Sequence, residues 1–445
     1  MIPEPALANS TPLERDAHLA STDHKVAPGE IAAGVVIGRA SEYFDFFVYG
    51  IASVLVFPKV FFSFEPDALT ATLYSFAVFS LAFVARPIGS VIFMAVDRRH
   101  GRGVKLTIAL FLLGGATAAV SFLPSYASIG YASIWLLAGL RILQGLALGG
   151  AWDGLASLLA MNAPRERRGW FAMIPQLGAP LGFIVASALF SFFLVNLDSA
   201  DFLDWGWRFP FYCAFTINVV ALFARLRLVA TDEFVRLMEK GRLEPVPVSE
   251  VVRYHALDVW IGAFVPLAAF ALFHLVTIFP ISWLTLFTDR SPGEFLIVQC
   301  SGAIVCAGAV AASGLIADQI GRRNALLLSS GLIAAFALGS IVAPLVFGDS
   351  AIGQTMYVTI GFMLMGLAYG QTAGAVTARL GARYRYTGAA LTSDLAWLFG
   401  AGFAPLVVLW LSSRYGLWMV GLYLLSGAAA SLLALTLDRS EMRQM

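Results

Sequence analysis

Residues 86–102 read RPIGSVIFMAVDRRHGR, and residues 314–323 read GLIADQIGRR. Each stretch ends an apolar run with an acid (Asp97, Asp318), a glycine (Gly101, Gly321) and arginine (Arg102; Arg322 and Arg323). One such turn is an ordinary basic loop between two helices. Two, at corresponding places in the halves of one chain, mark a duplicated unit of the kind that builds transporters from parallel repeats.

The surrounding composition fits membrane helices. Of 445 residues, 59% are apolar and 13% charged, and the mean hydropathy is +0.79. A soluble domain carries about a quarter charged residues, so a soluble enzyme is excluded. The 35 Phe and 10 Trp exclude a disordered chain. A net charge of +1 gives no reason to expect nucleic acid. Cys213, Cys300 and Cys306 lie in apolar runs with no disulfide or metal spacing, so neither metal nor cofactor is expected.

Apolar runs of ~20 residues, enough to cross the bilayer as helix, fall near 31–57, 71–96, 103–124, 130–161, 169–195, 207–229, 258–288, 294–317, 323–347, 351–378, 386–412 and 415–437. The runs are continuous, without the alternation of a transmembrane barrel. The expected fold is an all-α membrane protein with twelve transmembrane helices in two six-helix bundles, 31–229 and 258–437. A polar tail at 1–30, a connection at 230–257 and a short tail at 438–445 complete the chain. Residues 1–30 have no apolar centre, so they read as a retained tail rather than a signal peptide.

Orientation follows from the basic residues. Of 29 Lys and Arg, Lys59, Arg208, Arg290 and Arg414 fall on one side, Arg39, Arg86 and Arg141 lie within spans, and the remaining 22 fall on the side of both termini. The positive-inside rule then places both termini in the cytoplasm of a cell whose inner (plasma) membrane the chain crosses many times.

Finer signals are more specific. Helix 1 carries SEYFDFFVYG (41–50), helix 2 ends in RPIGSVIF, helix 4 carries RILQGLALGG (141–150), and helix 5 opens with RRGWFAMIPQLGAPLG (167–182). Helix 6 begins WRFPF, and helix 11 is entered through ARYRYTGAAL. The paired turns resemble the major facilitator superfamily, and these motifs resemble its metabolite:proton symporter branch, which carries oxoglutarate, citrate, shikimate and betaine or proline. The resemblance implies the major facilitator fold, proton-coupled transport and a gate-stabilising role for the turns, here Asp97, Arg98, Gly101 and Arg102, and Asp318, Gly321, Arg322 and Arg323. Two departures stand out. Gly149-Gly150 is followed by Ala151 where the family has Glu, the next acid being Asp153, and Arg98 occupies the place of the family's loop Asp, with Asp97 one position early.

Arg39, Glu42 and Asp45 are spaced along one side of helix 1. Each charge at a helix centre costs ~2.5–3.5 kcal/mol on insertion scales, so the stripe is expected to face protein or water. Arg141 on helix 4 is the expected counter-charge, on a face shared with Gln144 and Trp152, while Gly145 and Gly149 offer a strip for close packing. Opposite charges ~4 Å apart attract by about 4 kcal/mol at an effective dielectric of ~20. A carboxylate that meets Arg141 in one state and loses it in another would take up a proton between them. Asp45 is the expected proton carrier, with Glu42 the alternative.

Asp394 in helix 11 reads as a substrate or gating contact, or as a structural acid paired across helices. His274, deep in helix 7, is a proton or substrate contact or a structural histidine. Tyr43 and Trp152 are candidate cavity aromatics. Asp153 either replaces the missing family acid or touches the polar interior.

The expected function is a secondary active transporter that imports a small polar, carboxylated or zwitterionic metabolite by proton symport with alternating access. Its partners are that small molecule, a proton and the lipid bilayer, and it works as a monomer. Arginine binds carboxylates in a bidentate way, which favours an acidic substrate. Proton-coupled efflux, favoured by LGAPLG in helix 5, and a non-transporting sensor are the alternatives. A membrane enzyme would need a nucleophile and base or a metal cluster, and the sequence offers neither.

Overall fold

A computed structural model describes residues 28–151, 164–229, 244–347, 350–373, 380 and 383–437. Eleven helices among the described residues are long and apolar enough to cross a membrane. They are α2 (Ala68–His100), α3 (Arg102–Val120), α4 (Tyr131–Gly150), α5 (Arg168–Asn196), α6 (Arg208–Val229), α7 (Leu267–Phe287), α8 (Pro292–Ile320), α9 (Arg322–Phe347), α10 (Ala351–Tyr369), α11 (Arg385–Tyr415) and α12 (Trp418–Leu437). The twelfth, α1 (Pro28–Leu55), has the length but carries Arg39, Glu42 and Asp45 in mid-span. Its 28 residues reach ~42 Å at 1.5 Å each, enough for the bilayer. The helix that is least lipid-like is the one that carries the site.

Lipid is as apolar as leucine, so helices in a membrane associate through close packing and polar contacts rather than by excluding water. The α2–α4 seam shows the first. A Cβ on Gly145 would stand 2.3 Å from the Ala82 carbonyl oxygen, and one on Gly149 would stand 2.4 Å from that of Arg86. Large apolar side chains cover the outer surface, among them Val84, Ile88, Val91 and Ile92 on one flank of α2.

Several helices are interrupted near the seam between the halves. Pro175 lies in a 3-10 turn, Ile174–Leu177, within α5, because proline removes a backbone donor and crowds the preceding turn. A π-turn, Leu398–Gly402, interrupts α11. Helix α7 breaks at Thr277 and is preceded by a helix over Val248–Phe264, so residues 248–257, read from the sequence as connection, are helical.

The turns at Gly101 and Gly321 match in conformation. Their φ angles, +86° and +84°, lie where a side chain is strained. Each glycine amide closes the preceding helix, on the Asp97 and Ala317 carbonyls. We call the side bearing these turns the basic face. The halves touch there and also on the opposite face, where Ser191 of α5 donates to the Gly293 carbonyl of α8 at 2.8 Å. The two halves are thus joined by hydrogen bonds on both faces.

Candidate functional site

Three polar clusters lie along the seam. The first is on α1. Glu42 is held by two guanidinium groups, Arg39 at 2.7 Å on one carboxylate oxygen and Arg225 of α6 at 2.6 Å on the other. Arg225 is 1% exposed and also donates to the Ala151 carbonyl. The sequence had placed Arg225 with the basic loops. It points inward instead, because α6 packs on α1 and α3. One turn along α1, Asp45 accepts from the Asn218 side-chain amide of α6 at 2.7 Å, and its other oxygen has no hydrogen-bond partner.

The expected pairing of Arg141 with Asp45 is not made in this conformation. Arg141, 1% exposed, lies over the rings of Tyr49 and Phe79, 4.0 and 4.5 Å from their centroids. Its Nε donates to the Phe79 carbonyl and one Nη to Gln144, both at 3.0 Å, and its second Nη is unsatisfied. Helical spacing put both charges on inward faces but did not fix the rotation between α1 and α4. Gln144 instead donates to Thr117 of α3 at 2.9 Å. Among the described residues no carboxylate pairs with Arg141.

His274 of α7 faces this cluster from the other half. It is fully buried, its ring 5.5 Å from Phe46 and 5.7 Å from Phe79, and neither ring nitrogen has a partner. The Tyr49 hydroxyl is unpartnered too. Buried polar groups left unmet cost about 1–3 kcal/mol each, so a concentration of them marks a place where a guest or water completes the bonds.

The second cluster bridges the halves. Asp394 of α11 accepts from Arg86 Nε of α2 at 2.7 Å and from the Ser90 hydroxyl. Arg86 also lies 5.8 Å over the Trp397 ring. Beside it a narrow crevice, with room for little more than a water molecule, about 20 Å³, is lined by residues that include Arg39, Tyr43, Gln176, Tyr369, Thr372 and Trp397. Across it the Tyr43 hydroxyl hydrogen-bonds the Tyr369 hydroxyl of α10.

The third cluster is the pair of turns. Asp318 accepts from the amides of Gly169, at 2.6 Å, and Trp170, at 3.2 Å, at the first turn of α5. In the other half Asp97 accepts from Lys105 at 2.9 Å and from the Tyr386 hydroxyl at 3.0 Å, at the start of α11. Each acid thus holds the start of the opposing half's fifth helix. Asp97 stands four residues before its glycine and Asp318 three, a difference of about 100° around a helix. The early acid therefore reaches side chains where the other reaches amides. Arg102 lies over the Tyr386 ring at 4.8 Å. Arg98 is not at this contact; it is exposed and donates to the Val246 carbonyl at 3.3 Å. Arg323 binds the Leu435 carbonyl of α12 within its own half, and Arg322 follows Gly321 at the same turn.

Trp152 and Asp153 lie outside the described residues. Sequence reasoning missed Asn218, Arg225, Thr117, Lys105, Tyr369 and Tyr386. A signal existed for the first two, since polar residues seven apart share a face of a helix that is otherwise apolar.

Two matched sets of helices, mirrored turns and buried charges along the seam define a polytopic membrane carrier. The family model of the Major Facilitator Superfamily matches residues 35–405, and the chain belongs to that superfamily. It is 35% identical over 419 residues to the Inner membrane metabolite transport protein YhjE of Escherichia coli K12, covering 93% of this chain and 95% of that protein. The Shikimate transporter of the same organism is 30% identical over 428 residues, covering 93% and 94%. A Putative proline/betaine transporter of Staphylococcus aureus is 27% identical over 393 residues, covering 85% and 81%. The fold is that of the proton:xylose symporter XylE, with a TM-score of 0.69 over 92% of this chain and 94% of that one, at 14% identity. The protein is a transporter among the superfamily's metabolite carriers, not an enzyme.

Proposed function

We propose that the protein imports a small carboxylated or zwitterionic metabolite together with a proton, by alternating access, across the inner membrane with both termini in the cytoplasm. The observation that supports this reading is Arg141, a buried guanidinium with an unsatisfied donor and no acid to neutralise it among the described residues. An arginine held between aromatic rings and left without its anion is a receptor for one, and a carboxylate offers two acceptors to its fork. His274 adds a contact from the other half, so a guest between them would touch both bundles. Contacts of that kind tie binding to the approach of the halves.

In this cycle Asp45 accepts a proton and carries it inward with the substrate. Glu42 stays ionised between its two arginines and holds α1 to α6. The basic face then opens as Arg86 releases Asp394 and the two turns let go of α5 and α11. With a zwitterion one net positive charge moves inward and gains ~2.3 kcal/mol per 100 mV, whereas a monocarboxylate cancels the proton's charge and is driven by the pH gradient alone, in both cases without ATP.

A thermal-shift screen of carboxylates, betaines and amino acids would identify the substrate class. Arg141→Lys should abolish the stabilisation by carboxylates, because an ammonium does not reproduce the fork. Stabilisation by uncharged sugars alone, unchanged in Arg141→Lys, would refute the assignment.

A further inference from the structure

Arg141 and Asp45 are not hydrogen-bonded to each other. Gln144 links the two. Its carbonyl oxygen accepts from Arg141 at 3.0 Å and its amide donates to the Thr117 hydroxyl at 2.9 Å. Thr117 belongs to the face of α3 that packs on α6. One turn before it, a Cβ on Gly114 would stand 2.8 Å from that of Asn218, the residue that holds Asp45. Thr117 itself lies beside Asp45. Its hydroxyl is within reach of both the Leu113 carbonyl, at 2.8 Å, and Asp45, one of whose oxygens has no other partner.

We infer that Gln144 and Thr117 form a hydrogen-bond relay from the anion-binding Arg141 to Asp45, with Asn218 as the positioning residue that holds the carboxylate at its end. This rests on the proposed function only in naming Asp45 as the acid that exchanges the coupled proton. A hydroxyl has one proton to give, so Thr117 serves either Leu113 or Asp45. With Arg141 unliganded, its charge polarises Gln144 and makes Thr117 a better donor, which favours ionised Asp45. An anion on Arg141 withdraws that support, and Asp45 then takes a proton. Anion and proton bind together, as symport requires.

The other charged groups on elements packed against α1 do not substitute for this path. Glu42 is occupied by Arg39 and Arg225, Arg86 of α2 by Asp394, and Lys105 of α3 by Asp97 and Tyr386. His274 of α7 packs against Phe46, on α1 itself, and α5 brings Gln176 without a charge beyond Arg168.

The test needs no substrate. The infrared C=O band of protonated Asp45, identified by its loss in Asp45→Asn, is followed against pH in the full-length protein in lipid. Arg141→Met should displace the titration midpoint upward by about one pH unit. In a Gln144→Leu background, and again in Thr117→Val, the same substitution should displace it by a small fraction of that, while Thr117→Ser behaves as the unmodified chain. An equal displacement in all backgrounds overturns the relay. Proton-driven uptake that survives Asp45→Asn would instead remove Asp45 from transport and leave the relay standing, so the two failures are separable. Thr117→Ser also guards against misfolding, because it keeps the hydroxyl and removes only a methyl group.

Discussion

Arg86 of α2 and Asp394 of α11 meet at 2.7 Å across the seam between the two halves, both largely buried. Each stands beside an irregularity in its own helix: Pro87 directly follows Arg86, and the α11 π-turn begins four residues after Asp394. An ion pair between two bodies that must separate is a contact of one state only. Breaking a buried pair from one side costs about 3–5 kcal/mol, because the remaining charge is left without compensation. Asp394→Asn should therefore loosen the seam at this pair and open the basic face. A cysteine placed at Thr372, which lines the crevice, should then react with a polar thiol reagent added from that face at least several times faster than in the unmodified background. Unchanged reactivity would remove the pair from gating.

Tyr386 tests the turns. Its hydroxyl bonds Lys105 at 2.7 Å and Asp97 at 3.0 Å, both charged. Hydrogen bonds to charged groups contribute about 1.5–3 kcal/mol. Tyr386→Phe keeps the ring and should bias the protein toward opening on the basic face, measured as a longer distance between spin labels on the first turns of α3 and α11. Asp318→Ala should have a parallel effect between α5 and α8. If neither moves the distance distribution, the turns are loops and not latches.

Arg225 is expected to matter to folding before transport. Arg225→Met leaves the buried Glu42 with Arg39 alone, and the melting temperature in detergent should fall steeply. Adding Glu42→Gln should restore much of it, since a neutral amide has no charge to compensate. Additive losses in the double variant would mean that Arg225 acts through its Ala151 contact rather than through Glu42.

The α2–α4 seam leaves no room for a methyl group. Gly145→Ala sets a Cβ against the Ala82 backbone at 2.3 Å, and backbone does not yield as a flexible side chain does. Overpacking of this kind costs about 1–3 kcal/mol. Gly139→Ala, where nothing lies within 4 Å, is the control and should be silent. Equal stability of the two variants in a thermal melt would contradict the close approach.

What was legible in the sequence, and what was not, has a physical pattern. Hydropathy reveals the spans because bilayer thickness sets their length, and it reveals α1 despite three charges because apolar residues flank them. The mirrored turns are legible because Gly101 and Gly321 each need a conformation that other residues avoid. Helical spacing places Glu42, Asp45, Arg141 and Gln144 on inward faces. It is silent on which inward faces oppose each other, so the partners of Asp45 and Glu42 turned out to be Asn218 and Arg225 of α6. Arg225 was misplaced for a simple reason: near the end of a span, an arginine that serves the headgroups and one that turns into the bundle look alike in one dimension. Asp394 showed itself as a buried acid in need of a partner, but that Arg86 supplies it is a fact of three dimensions.

In the proposed cycle Asp45 carries the proton that drives uptake. The direct measurement is accumulation of a radiolabelled carboxylate, chosen from those that stabilise the protein, in proteoliposomes under an imposed inward proton gradient. The unmodified protein should concentrate the compound only while the gradient lasts. Asp45→Asn should still bind and exchange the compound across the membrane yet fail to concentrate it. Gradient-driven accumulation by Asp45→Asn at the unmodified rate would exclude Asp45 as the proton carrier.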